Sequence, residues 1–490
     1  MAVPLDPLTL ARSRKGRGDL ARRRVLALLP GLALAAVLGC NGAGGASDTG
    51  GRLPAAALHG PSEAAEADPD AEATADDGSA SGDLVTRLDR LRKRGQFEEF
   101  IDGALNAADE HADSAALQLL KTEALLASGR NEAAEIAART AAVLAQDDSD
   151  PATSCHALKL WATTRFRQQK ALDDPLVADM LAKLPPDDPA VQTLRFWRDR
   201  LGERTVYRLD GTENAGPVEI PAARAKPGTV PDELNAIAAR INGVSVPLAF
   251  VDTGTQHTLM TVKAAETAGV TIGPSSTRLV GFAGLNARPG VIETLELGSL
   301  VLHDVPVLVG NSPPLVALKG QMALGTELMH HVRFTIDYPA RRVFAEPAAT
   351  PRAERGKRPA WEIPLWTFSQ ACLARGQLPG GAMARVLVDT GDRAGTFVAA
   401  RWARRNLPDF QRPPATVVFK FKQRNLMLAA MDLGSGSLQD WPMVDTIPRV
   451  LERLDTVDLL LGHDLLGRYE VTIDLAQRVL QLYGRERDGD

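Results

Sequence analysis

The sequence predicts a multidomain chain in which an α-helical, repeat-like domain precedes two similar all-β lobes. Apolar residues recur at helical spacing from Leu84 to about Leu201, within a stretch rich in Ala, Leu, Glu and Arg. After Val206 the composition changes to Val, Leu, Thr, Gly and Pro in runs typical of strands. In this second part, three short motifs recur in the same order and at one constant offset, which indicates an internal duplication.

Composition narrows the class of protein before any motif is considered. The 490 residues are 44% hydrophobic and 24% charged, values that exclude a wholly disordered, collagen-like or polytopic membrane chain. A formal net charge of −5 argues against an unaided nucleic-acid binder, so no nucleic-acid partner is expected. Three cysteines are too few for a disulfide framework.

The amino terminus is built like an export signal. A basic segment ends at Arg24, and the apolar run 25–39 is too short to span a bilayer comfortably. The run closes on Val37-Leu38-Gly39-Cys40, which resembles a bacterial lipobox. This resemblance implies that residues 1–39 are a removed lipoprotein signal peptide and that Cys40 carries the lipid. The alternative is an ordinary secretory signal or a short anchor with an incidental cysteine.

The lipobox resemblance also predicts location. Asn41 after the cysteine favours the outer membrane in the enterobacterial sorting rule, so we expect a cell-envelope protein, lipid-anchored to the outer membrane and facing the periplasm. Residues 40–82 carry eight acidic groups and almost no large apolar side chain. Such a segment cannot bury enough surface to offset its ordering entropy, which predicts a disordered acidic linker between anchor and body.

Residues 83–204 form the predicted helical domain. Gly95 and Gly129 are each followed, at the same interval, by an alanine, which is Ala107 after the first and Ala141 after the second. The two glycines are separated by the period of tetratricopeptide repeats, about 34 residues. This period and these small residues resemble such repeats, which implies a groove that binds a protein partner. The alternative is a small helical spacer domain.

A carboxylate motif follows a predicted buried strand at two places. The strand 247–251 leads into Asp252-Thr253-Gly254, and the strand 384–388 leads into Asp389-Thr390-Gly391. The triplet Asp48-Thr49-Gly50 has no such strand and is discarded. A Leu-Gly pair follows each aspartate at the same interval, ending at Gly325 and Gly462. A Thr-Ile-Asp triplet lies farther on, again equally spaced from the two aspartates.

These residues resemble the retropepsin-like aspartic peptidases, with two single-motif units fused in one chain. The resemblance implies a first lobe at 215–350 and a second lobe at 351–490, which donate Asp252 and Asp389 to one catalytic site. Two carboxyl groups held close together cannot both ionise, so the pair shares a proton. One can then act as general base on a water while the other polarises a carbonyl group.

The resemblance also assigns supporting roles. It implies hydrogen bonds across the lobe interface from Thr253 and Thr390, and strands carrying Gly325 and Gly462 behind the motif loops. The tight turns that bring the two backbones together explain Gly254 and Gly391. The family's flap falls on four residues of the first lobe, which are Gly281, Phe282, Ala283 and Gly284.

One residue departs from the family pattern, and one residue pair offers a different kind of site. Asp392 directly follows the second motif, where Ser or Ala is usual; pointing inward, it would raise the pKa of the pair, whereas pointing outward it would have little effect. His330-His331 lacks further ligands at a suitable spacing, so no metal or other cofactor is expected.

The sequence therefore predicts an aspartic endopeptidase that cleaves extended polypeptide segments, with a membrane attachment at Cys40. The alternative is a non-catalytic, lipid-anchored envelope scaffold, in which degenerate lobes and helical repeats bind other proteins. The two hypotheses differ in whether the carboxyl groups of Asp252 and Asp389 face each other.

Overall fold

A computed structural model describes most of the chain beyond residue 79. The described residues are 36–37, 80–210, 216–223, 236–274, 277–281, 285–351, 357–368, 371–392, 395–407, 416–418, 421–445 and 457–484. The predicted lipidation residue Cys40, almost all of the predicted linker and the flap residues Phe282, Ala283 and Gly284 lie outside them.

The first folded part is entirely helical. Its helices are Ala80–Lys93, Phe97–Glu110, Ala115–Ala127, Asn131–Asp147, Pro151–Arg167, Pro175–Lys183 and Pro189–Leu201. The last three begin with an Asp followed by Pro, and each Asp side chain accepts backbone N–H groups of the first helical turn. This pairing of an N-cap carboxylate with Pro at the first helical position explains why the chain restarts as a helix there.

The helices form antiparallel hairpins at the predicted glycines. Gly95 and Gly129 both adopt φ +74°, a left-handed conformation that glycine tolerates at the end of a helix. Ala107 and Ala141 are both buried in the following helices, where a small side chain allows close packing. The equivalent turn of the next helix pair, between Pro151–Arg167 and Pro175–Lys183, contains Gln169 at φ 55°. It lies farther from Gly129 than Gly129 lies from Gly95, so the spacing lengthens after two hairpins.

The second part contains two closed β-barrels. The strands of the first barrel are Ile237–Ile241, Val244–Val251, Leu259–Met260, Leu285–Leu297, Leu300–Val309 and Met322–Leu324. The strands of the second barrel are Cys372–Gln377, Met383–Val388, Phe397–Val398, Phe421–Leu433, Gly436–Asp445 and Leu459–Leu461. The strand order is equivalent in the two barrels, including the pairing that closes each ring.

Smaller elements complete these barrels. Short helices lie at Val262–Thr267, Pro313–Ala317, Thr326–Met329, Ala400–Asn406 and His463–Leu466. Additional strands lie at Ala36–Val37, Arg208–Leu209, Thr271–Ile272, Thr277–Gly281, Trp366–Thr367 and Thr416–Val418. Gly281, the first residue of the predicted flap, ends one of these strands and pairs with Ala36.

One antiparallel sheet, which we call the shared sheet, joins the two barrels. Its strands, in spatial order, are Val218–Ile220, Arg342–Pro347, Val332–Asp337, Glu470–Asp474, Val479–Tyr483 and Trp361–Pro364. At its centre Thr335 faces Thr472, its equivalent in the second half of the duplication, and their Oγ1 atoms are 3.0 Å apart. Because equivalent residues meet here, a pseudo-two-fold axis passes between the two central strands.

The helical part packs directly on both barrels. The Phe97 ring lies 5.1 Å from the rings of Trp366 and Phe368, beside the second barrel. On the first barrel, Trp197 Nε1 donates to the carbonyl of Gly290 at 3.1 Å. Buried side chains from all three parts form one continuous apolar core. The structure thus confirms the predicted fold class, a helical domain followed by two barrel-like all-β units.

In the described part of the chain, no helix combines the length and apolar character needed to cross a bilayer.

Candidate active site

Asp252 and Asp389 lie at equivalent positions where a strand of each barrel ends. The Asp252 N–H donates to the carbonyl of Leu324 at 3.0 Å, and the Asp389 N–H donates to that of Leu461 at 2.9 Å. These carbonyls belong to the short parallel strand beside each motif strand. Both aspartates are fully buried at the junction of the barrels. The structure therefore brings together two residues that are far apart in the chain.

The threonines of the two motifs interlock across the junction. Thr253 N–H donates to Thr390 Oγ1 at 3.1 Å, and Thr390 N–H donates to Thr253 Oγ1 at 3.0 Å. Each hydroxyl also donates across the junction to a backbone carbonyl, Thr253 to Val388 and Thr390 to Val251. This symmetric set of buried hydrogen bonds fixes the two motif loops relative to each other.

Each carboxyl group packs against the motif glycine of the other barrel. A Cβ atom on Gly254 would lie 2.5 Å from Asp389 Oδ2, and one on Gly391 would lie 2.6 Å from the Asp252 carboxyl carbon. Each glycine N–H donates to Oδ1 of the aspartate in its own motif. The Oδ2 atoms of both carboxyl groups are buried and accept no hydrogen bond from an N–H or hydroxyl group of the described residues, whereas a hydrogen bond links the two carboxyl groups. The two carboxyl groups thus face each other.

Burial and proximity raise the pKa of both groups. Burial, followed by the charge of Asp389, raises the pKa of Asp252 well above its usual value. Burial also raises the pKa of Asp389 to about 6, although hydrogen bonds from the Gly391 N–H and the Asp252 side chain oppose this rise. Two buried carboxyl groups whose pKa values are both raised titrate as a pair that can share one proton, which is the arrangement that general acid and base chemistry requires.

Two further polar groups surround the pair. Asp392 is buried, so its carboxyl group points inward, and its charge adds to the rise in the pKa of Asp252. Tyr338 is also buried, and burial together with the charges of the three aspartates raises its pKa. Its ring meets that of His463 edge to face, with centroids 5.3 Å apart. The site therefore contains a third carboxyl group and a tyrosine close to the pair.

Gly325 and Gly462 lie directly behind the motif loops. A Cβ on Gly325 would lie 2.5 Å from the backbone of His257, and one on Gly462 would lie 2.4 Å from Asp392 Oδ2. Either substitution would force the adjacent motif loop to move. Of the predicted supporting residues, the two threonines and four glycines are brought together here, whereas the flap residues beyond Gly281 lie outside the described residues.

Sequence reasoning did not single out Tyr338, Glu327 or Gln256. The structure places Gln256 and Glu327 at the first motif and Tyr338 beside both aspartates. Gln256 Nε2 donates to Glu327 Oε1 at 3.1 Å, and both residues are buried. One signal was available, since Glu327 and Asp464 are acidic residues at equivalent positions after the two Leu-Gly pairs. Tyr338 has Leu475 as its counterpart, so the duplication does not mark it.

The histidine pair lies against the helical part, where the His331 ring stacks on the Tyr207 ring with centroids 4.6 Å apart. Burial lowers the pKa of His330 well below its usual value and that of His331 to about 3. Neither Cys155 nor Cys372 forms a disulfide, and both are buried. Among the described residues, no group of three or more His, Cys, Asp or Glu side chains is arranged to hold a metal ion.

Comparison with known protein families supports this site. Residues 237–328 match a family model described as aspartyl protease. The matched segment begins at the first strand of the first barrel and includes the Asp252 motif and Gly325. No curated protein matches the chain. The match supports an aspartic peptidase-like domain and suggests a hydrolase that acts on polypeptides.

Proposed function

We propose that this protein is an aspartic endopeptidase whose catalytic pair is Asp252 and Asp389. The observation that carries the proposal is the mutual packing of each carboxyl group against the other's motif glycine, with both groups buried and both pKa values raised. The family match over 237–328 supports the same reading. A non-catalytic scaffold would have no need for two buried carboxyl groups so close together, because each costs folding free energy.

The proposed reaction uses the difference between the two groups. Asp389, which ionises first, takes a proton from a water molecule as that water attacks the scissile carbonyl carbon. Asp252, which keeps its proton, donates it to the carbonyl oxygen, giving a tetrahedral diol. Asp389 then gives its proton to the amide nitrogen while Asp252 takes one back from a diol hydroxyl group. The C–N bond breaks, an amine and a carboxylic acid are released, and both aspartates return to their starting protonation states. Interlocked threonines hold the pair still during these transfers, which lowers the reorganisation cost.

The remaining parts of the proposal concern location and partners. We propose that Cys40 is lipidated and anchors the protein at the outer membrane, facing the periplasm, with residues 41–82 as a tether. The strand Ala36–Val37 belongs to the signal segment, so the mature chain would lack it. The substrate is an extended polypeptide segment. The helical hairpins, similar to tetratricopeptide repeats, offer a surface for a protein partner.

The experiment that tests the function compares the full chain with Asp252→Asn and Asp389→Asn. In assays that scan about pH 3 to 8, the wild-type protein should cleave a denatured protein mixture, and a transition-state mimic of aspartic peptidases should block this cleavage. Each isosteric substitution should remove cleavage, because neither pair can then supply both an acid and a base. Circular dichroism should show both variants folded. Full activity in either variant would overturn the assignment of Asp252 and Asp389 as the catalytic pair. A folded wild type that cleaves nothing and does not bind the mimic would favour the scaffold.

A further inference from the structure

The two barrels satisfy the side chains of two equivalent acidic residues in different ways. Glu327 in the first barrel and Asp464 in the second occupy equivalent positions, each in the short helix behind its motif loop. In the second barrel, Asp464 Oδ2 accepts hydrogen bonds from Thr396 N–H at 3.0 Å and from Thr396 Oγ1 at 2.8 Å. It also accepts one from Trp441 Nε1 at 3.2 Å. The second barrel thus satisfies this acid from within itself.

The first barrel lacks that tryptophan. Trp441 pairs with Leu428 in the barrel hairpin, and at the equivalent register Val305 pairs with Ile292. Valine has no polar side-chain atom, so it cannot donate to Glu327. A cation from outside the barrel takes this place. Arg167 Nη2 lies 3.5 Å from Glu327 Oε1, and the side chains are only 2% and 1% exposed.

Arg167 is the last residue of the helix Pro151–Arg167 and belongs to the helical part. Its Nη1 atom donates to the carbonyl of Thr367, beside the second barrel, at 3.1 Å and to that of Leu126 in another helix at 3.5 Å. One guanidinium group therefore contacts the helical part and both barrels. A buried arginine of this kind is costly to desolvate unless all of its partners remain in place.

Glu327 transmits this contact to the first motif loop. Its Oε1 atom accepts from Gln256 Nε2 at 3.1 Å, and its backbone N–H donates to the Gln256 carbonyl at 2.9 Å. Gln256 lies shortly after Asp252, in the loop that carries the interlocking Thr253. A continuous series of buried polar contacts thus runs from Arg167 through Glu327 and Gln256 towards Asp252.

We propose that Arg167 is a positioning residue for the Asp252 loop, so that the helical part is a working component of the active site as well as a surface for partners. The inference rests on the proposed peptidase function. Arg167 is a polar partner of Glu327 in the first barrel, as Trp441 is a polar partner of Asp464 in the second. Neutralising Glu327 removes its attraction to Arg167 and frees the Gln256 side chain, which shifts Asp252 relative to Asp389.

The test compares Glu327→Gln with a matched control, Glu346→Gln. Both changes neutralise a buried glutamate paired with a buried arginine, because Arg333 Nη1 donates to Glu346 Oε1 at 3.1 Å in the shared sheet. Glu346 has no contact with a motif loop among those described. Each full-length variant is assayed for kcat and KM, for thermal unfolding, and for hydrogen exchange in peptides covering residues 250–258. Arg167→Lys, which keeps the charge and loses the planar fork, provides a second variant.

We expect Glu327→Gln to lower kcat by about tenfold or more with little change in KM. The substitution should displace Asp252 relative to Asp389 and leave the contacts that bind the substrate unchanged. Exchange of the motif-loop amides should rise in Glu327→Gln and Arg167→Lys and stay at the wild-type rate in Glu346→Gln. Both glutamate variants should lose thermal stability, and Glu346→Gln should keep its kcat per folded molecule.

Two outcomes would overturn the inference. One is wild-type kcat and exchange in Glu327→Gln; the other is a loss of kcat in both glutamate variants in proportion to their loss of stability, which would indicate a purely structural role. If the wild type cleaves no substrate, the proposed function fails, and the exchange measurements alone still decide whether Arg167 holds the Asp252 loop.

Discussion

Replacing Gly254 with alanine is the most direct perturbation of the site, because it adds one methyl group between the two motifs. The new Cβ would lie 2.5 Å from Asp389 Oδ2, 2.6 Å from its carboxyl carbon and 2.7 Å from Oδ1. An unstrained contact needs about 3.5 Å, so the carboxyl group must move by roughly 1 Å. The interlocked threonines oppose a compensating shift of the backbone.

This displacement gives the expected magnitudes. A misplacement of about 1 Å in a catalytic group costs roughly 100-fold in rate, so kcat should fall by about that factor. Overpacking a buried site costs about 1–3 kcal/mol, which is less than the roughly 5–15 kcal/mol that stabilises a typical domain. The variant should therefore remain folded while losing most of its activity.

The assay measures kcat on a peptide substrate together with urea unfolding, with Gly380→Ala as the matched control. Gly380 lies in the turn that leads into the second motif strand, and a Cβ there would meet nothing within 4 Å. Gly380→Ala should keep wild-type kcat and stability. A folded Gly254→Ala variant with wild-type kcat would refute the reasoning, since it would mean that the Asp389 carboxyl group is free to move without consequence for the chemistry.

Two further predictions follow from the raised pKa values. The acid limb of the kcat/KM profile should lie near pH 6, because burial raises the pKa of Asp389 to about 6 and this group must ionise to act as the base. Rates measured from about pH 4 to 8 test this prediction. Maximal activity at about pH 3 would contradict it. Asp389→Asn should stabilise the protein at neutral pH. In the wild type, the folded-state pKa of about 6 exceeds the unfolded value of 3.8, so the contribution of Asp389 to stability is full below the unfolded pKa and is lost as pH rises through about 6. Asp389→Asn should therefore raise the free energy of unfolding by about 3 kcal/mol at pH 7 and by almost nothing at about pH 3, as measured by urea unfolding. Equal increases at the two pH values would show that the pKa of Asp389 is not raised.

Much of the fold could be predicted because its determinants are local or repeated. Helical spacing and the turn glycines Gly95 and Gly129 mark the hairpins in the chain itself. The constant offset of the internal repeat marks the two barrels, since equivalent motifs must occupy equivalent places. The same repeat linked Asp252 to Asp389, because one carboxyl group per lobe forms a pair only where two lobes meet.

What could not be predicted depends on contacts between distant parts of the chain. The inward direction of Asp392 is decided by its packing against Gly462, which no local pattern reveals. The pairing of Arg167 with Glu327 spans 160 residues and unites parts of different composition. An arginine at the end of a helix is ordinarily explained by the helix dipole, so its sequence position gives no reason to expect burial.

The shared sheet has a consequence for biosynthesis. Val332–Asp337 is paired on one side with Arg342–Pro347, which follows immediately, but its other neighbour, Glu470–Asp474, is made much later. At roughly 5–20 residues per second, the ribosome leaves this strand edge open for on the order of ten seconds. An open edge is a template for pairing with another chain. A nascent polypeptide that ends after the first barrel therefore exposes the open edge of Val332–Asp337. A second such polypeptide could pair with this edge, which Glu470–Asp474 of the same chain will later occupy.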